Sequence, residues 1–516
     1  MSSSNGNRGI KFLAIASFLL LILPQRMVCQ QGILDSTFTF RSGTVKTGNA
    51  LDIISRQTGY NFTYDSRLID QEKKTVMTFR NTKLSVVLDS ILKNDSLVFS
   101  IIDRYIIISH AERHTALPAD STTAEKAKYI TGKIVDDETS EPLPFATIAL
   151  KNKGKGTVSN NNGNFGMKIT SDFFNDTLSV SYLGYLGREI PVKKAYGNNL
   201  TISMKREFIS IPEIIIKNQN PQEIVLRALK AIPHNYGDTP AFMTGFYREG
   251  VLKKADLQTY SEAILQIYKS AYSGTLYGDQ IKVYKSRKIE NTDRSDTLAI
   301  RLKAGLSTCL ELDGAKNIFD FLSRESMTDY TYRLTDIVTY DDETAYAIEF
   351  EQHENVDLPL FKGTMYINTV DYGILNAEFE INPKQIHKMK DTFITTSSLG
   401  FNTWPVSVKY SVSYRKMNNR YFLNHVRGDL IFSSSHKKKL FNTQFKVFFE
   451  LAITETELKN VSRFDREELA PIHSIFSKTI KKYDPLFWGN QDFLRPEDNL
   501  LSALKNMNVK LQEFSK

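Results

Sequence analysis

Residues 129–205 constrain the fold of this chain more than any other stretch. Short segments in which apolar and polar residues alternate are separated, about every ten residues, by clusters of Gly, Pro, Asn and Asp. An alternation with a period of two places the apolar side chains on one face of a strand. Residues 160–163 predict a tight turn, because Gly163 accepts a positive φ angle at little cost. The pattern predicts an all-β sandwich that folds independently of its neighbours, and it contains no ligand cluster and no nucleophile pair.

The same stretch resembles the carboxypeptidase-regulatory-like domain, a small transthyretin-like β-sandwich. The matching residues are Gly132, Asp136, Pro142-Leu143-Pro144-Phe145-Ala146, Gly156-Thr157, Asn162-Gly163-Asn164-Phe165 and Tyr182-Leu183-Gly184-Tyr185. In envelope proteins of Gram-negative bacteria this domain occurs as an N-terminal extension, and the domain itself is not catalytic. The resemblance therefore implies a sandwich over residues 129–217 and a location in the cell envelope.

Residues 31–110 are predicted to form a compact α+β module in the order β-α-β-β-α-β-β. Leu51 and Ile54 mark one face of its first helix, and Leu84 and Leu88 mark the second. The motifs that carry a further resemblance lie at residues 49–54, 58–64 and 84–92. They resemble the secretin and TonB short N-terminal (STN) domain, which implies protein contacts in the periplasm; a role as a spacer stays open. Residues 111–128 have no apolar periodicity and are predicted to be a linker.

The first 29 residues resemble a secretory signal peptide. Arg8 and Lys11 precede an apolar run over residues 12–23, which is short for a bilayer span. Cleavage near Cys29, lipidation of Cys29 and an uncleaved anchor are the alternatives. Since no later stretch reaches the length of a membrane helix, no transmembrane helix is expected after signal cleavage. The chain is therefore expected in the periplasm or associated with the outer membrane.

Residues 220–455 are predicted to form a large curved antiparallel sheet or half-barrel, because long alternating segments follow one another across short polar turns. The predicted strands are residues 242–251, 329–339, 344–351, 362–368, 373–381, 406–414, 421–432 and 441–453. Their patterning resembles the half-barrels of periplasmic lipoprotein carriers. A helix that opens at Pro221 precedes the sheet, and residues 456–516 are predicted to form a partly helical tail. The whole chain is thus predicted to be multidomain and mostly β.

The sequence carries no known catalytic or ligand-binding motif. The formal charge of +8 is spread over 516 residues without a dominant patch, so nucleic acid is not a predicted partner. The histidines form no zinc-peptidase motif, and a nucleophile elbow, a phosphate loop and a dinucleotide fingerprint are absent. Cys309, among leucines, is predicted to be buried and inert. No catalytic, cofactor-binding or metal-binding residue is therefore assigned.

Three functions stay open on the sequence alone. The first is a non-enzymatic envelope protein that binds other envelope proteins, in outer-membrane transport or signalling of the TonB-associated kind. The second is a carrier of an apolar ligand or lipid in the concave face of the sheet, suggested by its dense aromatic residues; helices that fill this face are the alternative. The third is a hydrolase whose carboxylates meet only in the fold. The available carboxylates are Asp336, Asp341, Glu349, Glu351 and Glu378.

Overall fold

The computed structural model describes most of the chain between residues 33 and 476. The described residues are 33–64, 69–70, 72–92, 97–102, 105–110, 128–207, 219–254, 256–274, 278–290, 305–393, 401–437, 441–472, 474 and 476. The predicted signal segment with Cys29, residues 111–127 of the predicted linker 111–128 and the part of the predicted tail 456–516 beyond residue 476 lie outside them, so those expectations stay predictions. Two compact units are present, one within residues 1–119 and one within residues 120–516. Across the described ranges, no helix combines the length and the apolarity that a membrane span requires.

The N-terminal unit is an α+β module with the predicted order of elements. Its elements are β1 (Thr37–Lys46), α1 (Thr47–Thr58), β2 (Asn61–Tyr64), β3 (Lys74–Lys83), α2 (Leu84–Leu92), β4 (Leu97–Ile102) and β5 (Tyr105–His110). Strands β1 and β3 form an antiparallel pair, and β5 lies between β2 and β4. Leu51, Ile54, Leu84 and Leu88 are buried in its core, as their helical spacing predicts. Helix α1 ends at Gly59, whose φ of 72° is the left-handed conformation common at helix ends.

The second unit begins with the predicted sandwich. Its elements are β6 (Lys128–Asp136), β7 (Thr147–Leu150), β8 (Gly156–Val158), β9 (Asn164–Ile169), β10 (Thr177–Ser181), β11 (Tyr185–Leu186), β12 (Arg188–Pro191), α3 (Val192–Ala195) and β13 (Asn199–Met204). One sheet has the order β12-β10-β7-β8 and the other β13-β6-β9, with buried apolar side chains between them. Asp136 accepts backbone hydrogen bonds from Thr139 and Glu138 and a 2.7 Å bond from the Tyr185 hydroxyl. These bonds hold the pKa of Asp136 well below its usual range, so this motif residue is structural.

The predicted large sheet follows. Its elements are α4 (Pro221–Asn235), β14 (Ala241–Lys253), β15 (Asp256–Lys269), β16 (Gln280–Glu290), α5 (Gly305–Glu311), β17 (Tyr330–Asp341), β18 (Glu343–Gln352), β19 (Phe361–Asn368), β20 (Ile374–Ile381), α6 (Lys390–Phe393), β21 (Phe401–Met417), β22 (Arg420–His436) and β23 (Thr443–Glu457). Among the described residues the strand order is β11-β17-β18-β19-β20-β21-β22-β23-β14-β15-β16. Every pair is antiparallel except β11 with β17. The mostly β, multidomain fold class is confirmed, and β15 and β16 are strands that the sequence analysis did not predict.

Helices α4 and α5 cover one side of this sheet, which we call the helix face. Asn220 begins α4: its side-chain oxygen accepts the N–H groups of Gln222 and Glu223, and Pro221 takes the first helical position. Apolar side chains of both helices are buried together with those of the strands in one large core. Apolar residues recur about every 3.6 positions along the helices and every two positions along the strands, so each element presents one continuous apolar face.

Buried charges hold the segment after α5 against the helix face. The Lys269 ammonium lies 2.5 Å from Asp313 and 2.6 Å from Asp279, and Lys316 also contacts Asp279 at 2.6 Å. The hydroxyls of Tyr272 and Tyr414 donate to the Asp313 carboxylate at 2.8 and 2.9 Å. Each buried charge thus has an opposite charge and further hydrogen bonds, which is the condition for burying ions without a large penalty.

The sandwich lies on the opposite side of the sheet, which we call the sandwich face. Strand β11 extends the sheet by pairing with the end of β17, and the Gly184 N–H donates to Thr339 O at 2.7 Å. Val158 of β8 packs with Phe246, Ile264 and Ala452 of the sheet. This packing was not expected, because the sequence predicted a sandwich independent of its neighbours.

Candidate functional site: a charged cleft between sandwich and sheet

A cleft of about 1290 Å³ lies between the sandwich and the sandwich face of the sheet. Strands β17 to β22 and the loops after β18 and β20 form one side of the cleft, and the sandwich forms the other with Pro144, Phe145, Thr147, Ser181, Tyr182 and Leu183. This volume exceeds the roughly 300–1,000 Å³ of sites that enclose a small molecule. The cleft is therefore large enough for a segment of a polymer.

One continuous row of polar side chains crosses the sandwich face from strand to strand. We call these ten residues the charged row: Arg333, Glu349, Thr364, Glu378, Ser411, Arg427, Glu450, Arg248, Glu262 and Arg287. Each is the register partner of the next on the neighbouring strand, so all ten side chains share one face. Opposite charges directly across from each other stabilise strand pairs, which explains the alternation of Arg and Glu.

The first five residues of the charged row lie in the open cleft. Arg333 pairs with Glu349, and the Asn376 amide donates to Glu378 at 3.4 Å. A parallel row beside it contains Glu380, which lies 3.6 Å from Lys362 and 3.5 Å from Lys409. All these groups are at least partly exposed, so their mutual attraction is screened by water and they remain able to pair with a ligand. The open part of the row therefore presents cations and carboxylates side by side.

The other five residues of the charged row are buried except for Arg287, which is partly exposed. Arg248 and Glu450 have no exposed surface, and the Arg248 Nε donates to Glu450 at 2.6 Å. His425 contacts the other Glu450 oxygen at 2.7 Å, and Arg427 lies 3.5 Å from this carboxylate. Burial alone would raise the pKa of Glu450, but Arg248, His425 and Arg427 outweigh it and hold the pKa well below its usual range. The buried end is an ion network that fixes Arg427 where the cleft begins.

Phe145 connects the sandwich to this network. Its ring stacks on the His425 ring with centroids 5.1 Å apart, and the Arg427 guanidinium lies 5.1 Å from the Phe145 ring. Phe145 has a φ of 61°, an uncommon conformation for a bulky residue. Ser159 holds it there, because its carbonyl accepts the Phe145 N–H at 3.0 Å and its hydroxyl donates to Leu143 O at 2.7 Å. The Pro-Leu-Pro-Phe motif is thus one of the elements that dock the sandwich on the sheet.

The carboxylates of the hydrolase hypothesis meet only in part. Glu349, Glu351 and Glu378 line the cleft, whereas Asp336 and Asp341 do not belong to its lining. Thr364 on β19 separates Glu349 from Glu378, so two strand spacings of about 4.8 Å each put their backbones roughly 10 Å apart. Within the described ranges, no group of three or more His, Cys, Asp or Glu side chains is placed to hold a metal ion.

Among the described residues, the helix face is covered by a packed core. Most of the aromatic side chains that suggested an apolar ligand are buried in this core, whereas Tyr340 and Tyr366 are partly buried and line the cleft: the buried ones include Phe350, Phe379, Tyr410, Tyr414, Tyr421, Phe432 and Phe449. A cavity of about 10 Å³ lies beside Phe319, Phe321 and Tyr414. This is the volume of about one water molecule. In the described part of the chain, the helices and strands on this face share one packed core, and the apolar-ligand hypothesis stays a prediction.

Comparison with known proteins gives one family match. Residues 130–216 are a CarboxypepD_reg-like domain, which confirms that resemblance, whereas the resemblance of the N-terminal module to the STN domain stays a prediction. No curated protein matches the chain.

Solved structures give weak likenesses. A domain described as an outer membrane lipoprotein-sorting protein from Vibrio parahaemolyticus is 9% identical; the match covers 47% of this chain and 95% of that one, with a TM-score of 0.21. A DUF1329 family protein from Desulfovibrio piger is 10% identical, with coverages of 49% and 100% and a TM-score of 0.22. Lipovitellin is 6% identical, with coverages of 45% and 26% and a TM-score of 0.21. These scores are too low to carry an argument about fold or ligand.

Proposed function

We propose that this chain is an exported, non-enzymatic binding protein of the cell envelope, and that its cleft holds an extended, mixed-charge segment of a partner protein. The observation that carries the proposal is the open part of the charged row. It displays Arg333, Glu349 and Glu378 along the floor of a cleft of about 1290 Å³. A partner with charges of both signs can pair with such a surface, whereas a lipid tail cannot.

The edge of the sheet beside the cleft favours an extended polypeptide. In the described part of the chain, strand β11 pairs with the outer edge of β17 through two residues, Tyr185 and Leu186. They pair with Tyr340 and Asp341 at the end of β17. Earlier residues of β17, such as Thr331 and Arg333, line the cleft. An extended peptide that adds a strand to such an edge gains main-chain hydrogen bonds and places alternate side chains towards the cleft.

The other two functions have less support. A carrier of apolar ligands would need the packed helix face to open, because the cavity beside Phe319 and Tyr414 holds about one water molecule. A hydrolase would need paired carboxylates, whereas Glu349 and Glu378 stand on strands that β19 separates. The envelope location is supported by the signal-like first 29 residues and by the CarboxypepD_reg-like domain. Recovery of the processed chain in the cytoplasm would contradict it.

Site-specific photo-crosslinking in the cells that make the protein tests the binding site. A benzophenone amino acid at Ser411, on the cleft floor, should give a discrete protein adduct. The same group at Lys230, exposed on α4 and so on the helix face, is the matched control and should give none.

Charge reversal tests the chemistry. Glu378→Lys should remove the Ser411 adduct, Glu378→Gln should weaken it, and both variants should keep the circular dichroism of the parent. Equal crosslinking at Ser411 and Lys230, or an adduct that survives Glu378→Lys, would show that the cleft is not the binding site.

A further inference from the structure

One carboxylate of the charged row has no cation directly across from it on either neighbouring strand. Glu378 lies on β20, and its register partners are the neutral residues Thr364 on β19 and Ser411 on β21. Glu349 in the same row, by contrast, faces Arg333. The Glu378 side chain is exposed and lines the cleft. Since opposite charges directly across from each other stabilise strand pairs, Glu378 is the member of the row that a cation from a partner would complement.

A tyrosine of the sheet lies beside this carboxylate. Tyr366 stands two residues from Thr364 on β19, so the two side chains share one face. Its register partner is Asn376, which makes Tyr366 a diagonal neighbour of Glu378, at about 7–8 Å between backbones. Burial raises the pKa of the Tyr366 hydroxyl to about 12, and the negative charge of Glu378 is the next cause of this shift.

A second tyrosine lines the opposite side of the cleft. Tyr182 belongs to the sandwich, and its ring packs on the Tyr185 ring with centroids 5.3 Å apart. The Tyr185 hydroxyl donates to Asp136 at 2.7 Å, so the contact that supports Tyr182 is itself held in place. Burial raises the pKa of the Tyr182 hydroxyl to about 12, and here too the charge of Glu378 is the next cause. One tyrosine from the sandwich and one from the sheet are therefore near the same carboxylate.

We propose that Tyr182, Tyr366 and Glu378 bind the guanidinium group of an arginine side chain; the inference rests on the proposed function and names a residue that the bound segment carries. The carboxylate supplies the opposite charge, and the negative faces of the two rings attract the same cation. Arginine suits these groups better than lysine, because a planar, weakly hydrated guanidinium lies on a ring while its edge donates to a carboxylate. We call the three side chains the arginine receptor.

Saturation-transfer-difference NMR with the full chain tests the arginine receptor without the partner protein. The probes are three acetylated tripeptide amides with arginine, lysine or citrulline between two glycines. Citrulline has nearly the shape of arginine but is neutral. The arginine probe should bind at least about tenfold more tightly than the citrulline probe, the scale of one charged hydrogen bond. The lysine probe should bind with intermediate affinity.

Three substitutions test the assigned roles. Tyr182→Ala should weaken binding of the arginine probe about threefold, the scale of one exposed cation–π contact. Tyr182→Phe should keep the affinity of the parent, because the ring and not the hydroxyl attracts the cation; this variant also shows that any loss in Tyr182→Ala comes from the ring. Glu378→Gln should weaken binding about tenfold.

Two matched controls remove the same groups elsewhere. Glu380→Gln makes the same change of charge in the cleft, but the Glu380 carboxylate already has Lys362 at 3.6 Å and Lys409 at 3.5 Å. Tyr284→Ala removes a tyrosine that is 49% exposed on β16, at the other end of the described sheet. Both variants should keep the affinity for the arginine probe within about twofold, the scale of a screened surface charge.

Equal binding of the arginine and citrulline probes, tighter binding of the lysine probe, or an equal loss in Glu378→Gln and Glu380→Gln would overturn the proposal. The crosslinking experiment separates this failure from failure of the proposed function. A Ser411 adduct in cells without selective binding of the arginine probe would contradict the arginine receptor alone. Selective binding without a Ser411 adduct would support the receptor and contradict the proposed partner.

Discussion

The contact between sandwich and sheet should fail when a single methyl group is added at Gly154. A Cβ at this position would lie 1.9 Å from Thr456 O, a backbone atom, whereas real Cβ atoms keep at least 3.0 Å from such an atom. The two chain segments must therefore move apart by more than about 1 Å to restore ordinary contact. Gly154 O accepts the Thr456 N–H at 2.9 Å and the Arg415 side chain at 2.8 Å, so this movement takes both bonds beyond hydrogen-bond range.

The expected cost of Gly154→Ala is about 3 kcal/mol, from one neutral and one charged hydrogen bond. The charged bond weighs more because Arg415 is only 6% exposed. Burial lowers the pKa of its guanidinium to about 10, which shows how poorly the site solvates this charge. Urea denaturation followed by circular dichroism measures the loss.

The control is Gly278→Ala, because a Cβ at Gly278 meets nothing within 4 Å. It should change the free energy of unfolding by less than about 0.5 kcal/mol, the usual range of surface substitutions. If Gly154→Ala unfolds at the same urea concentration as Gly278→Ala, the sandwich does not draw stability from this contact and the reasoning is wrong.

Two further predictions concern buried groups on the helix face. Burial would raise the pKa of Asp279, but Lys269 and Lys316 outweigh burial and lower this pKa to about 2. Because the folded-state pKa lies below the ordinary 3.8, about 2 kcal/mol of the free energy of unfolding should be lost as the pH falls from about 4 to about 2. Asp279→Asn should flatten that part of a plot of urea midpoint against pH. Burial raises the pKa of Cys309, so a thiol reagent at neutral pH should label it only at urea concentrations that unfold the chain; rapid labelling of the folded protein would contradict its burial.

The strands that the sequence predicted are those with one apolar face and one polar face. β18, for example, alternates Ile348 and Phe350 towards the core with Glu349 and Glu351 towards the cleft, and this contrast is visible without a structure. β15 was missed because both of its faces are covered. Its residues 260–265 are buried without interruption, so polar and apolar positions do not separate with a period of two.

The charged row could not be predicted from the sequence. Its members come from ten strands, and their order follows from register pairs rather than from spacing along the chain. Arg248 and Glu450, for example, face each other although 202 positions separate them. The region of the contact at Gly154 could be identified in part, because the nearby Gly156 belongs to the motif that suggested the sandwich family. What the motif could not indicate is that the nearby Gly154 touches a strand at the far end of the chain.

The pairing of β14 with β23 determines when this sheet can be completed. β14 is the first long strand of the sheet to be synthesised, and one of its two partners, β23, is the last. Until β23 is available, β14–β16 and β17–β22 are two separate sheets, each with a long unprotected edge. Closing a loop of this length is slow, and open edges invite pairing with other chains. A nascent or truncated chain that lacks β23 is therefore expected to aggregate more readily than the complete chain.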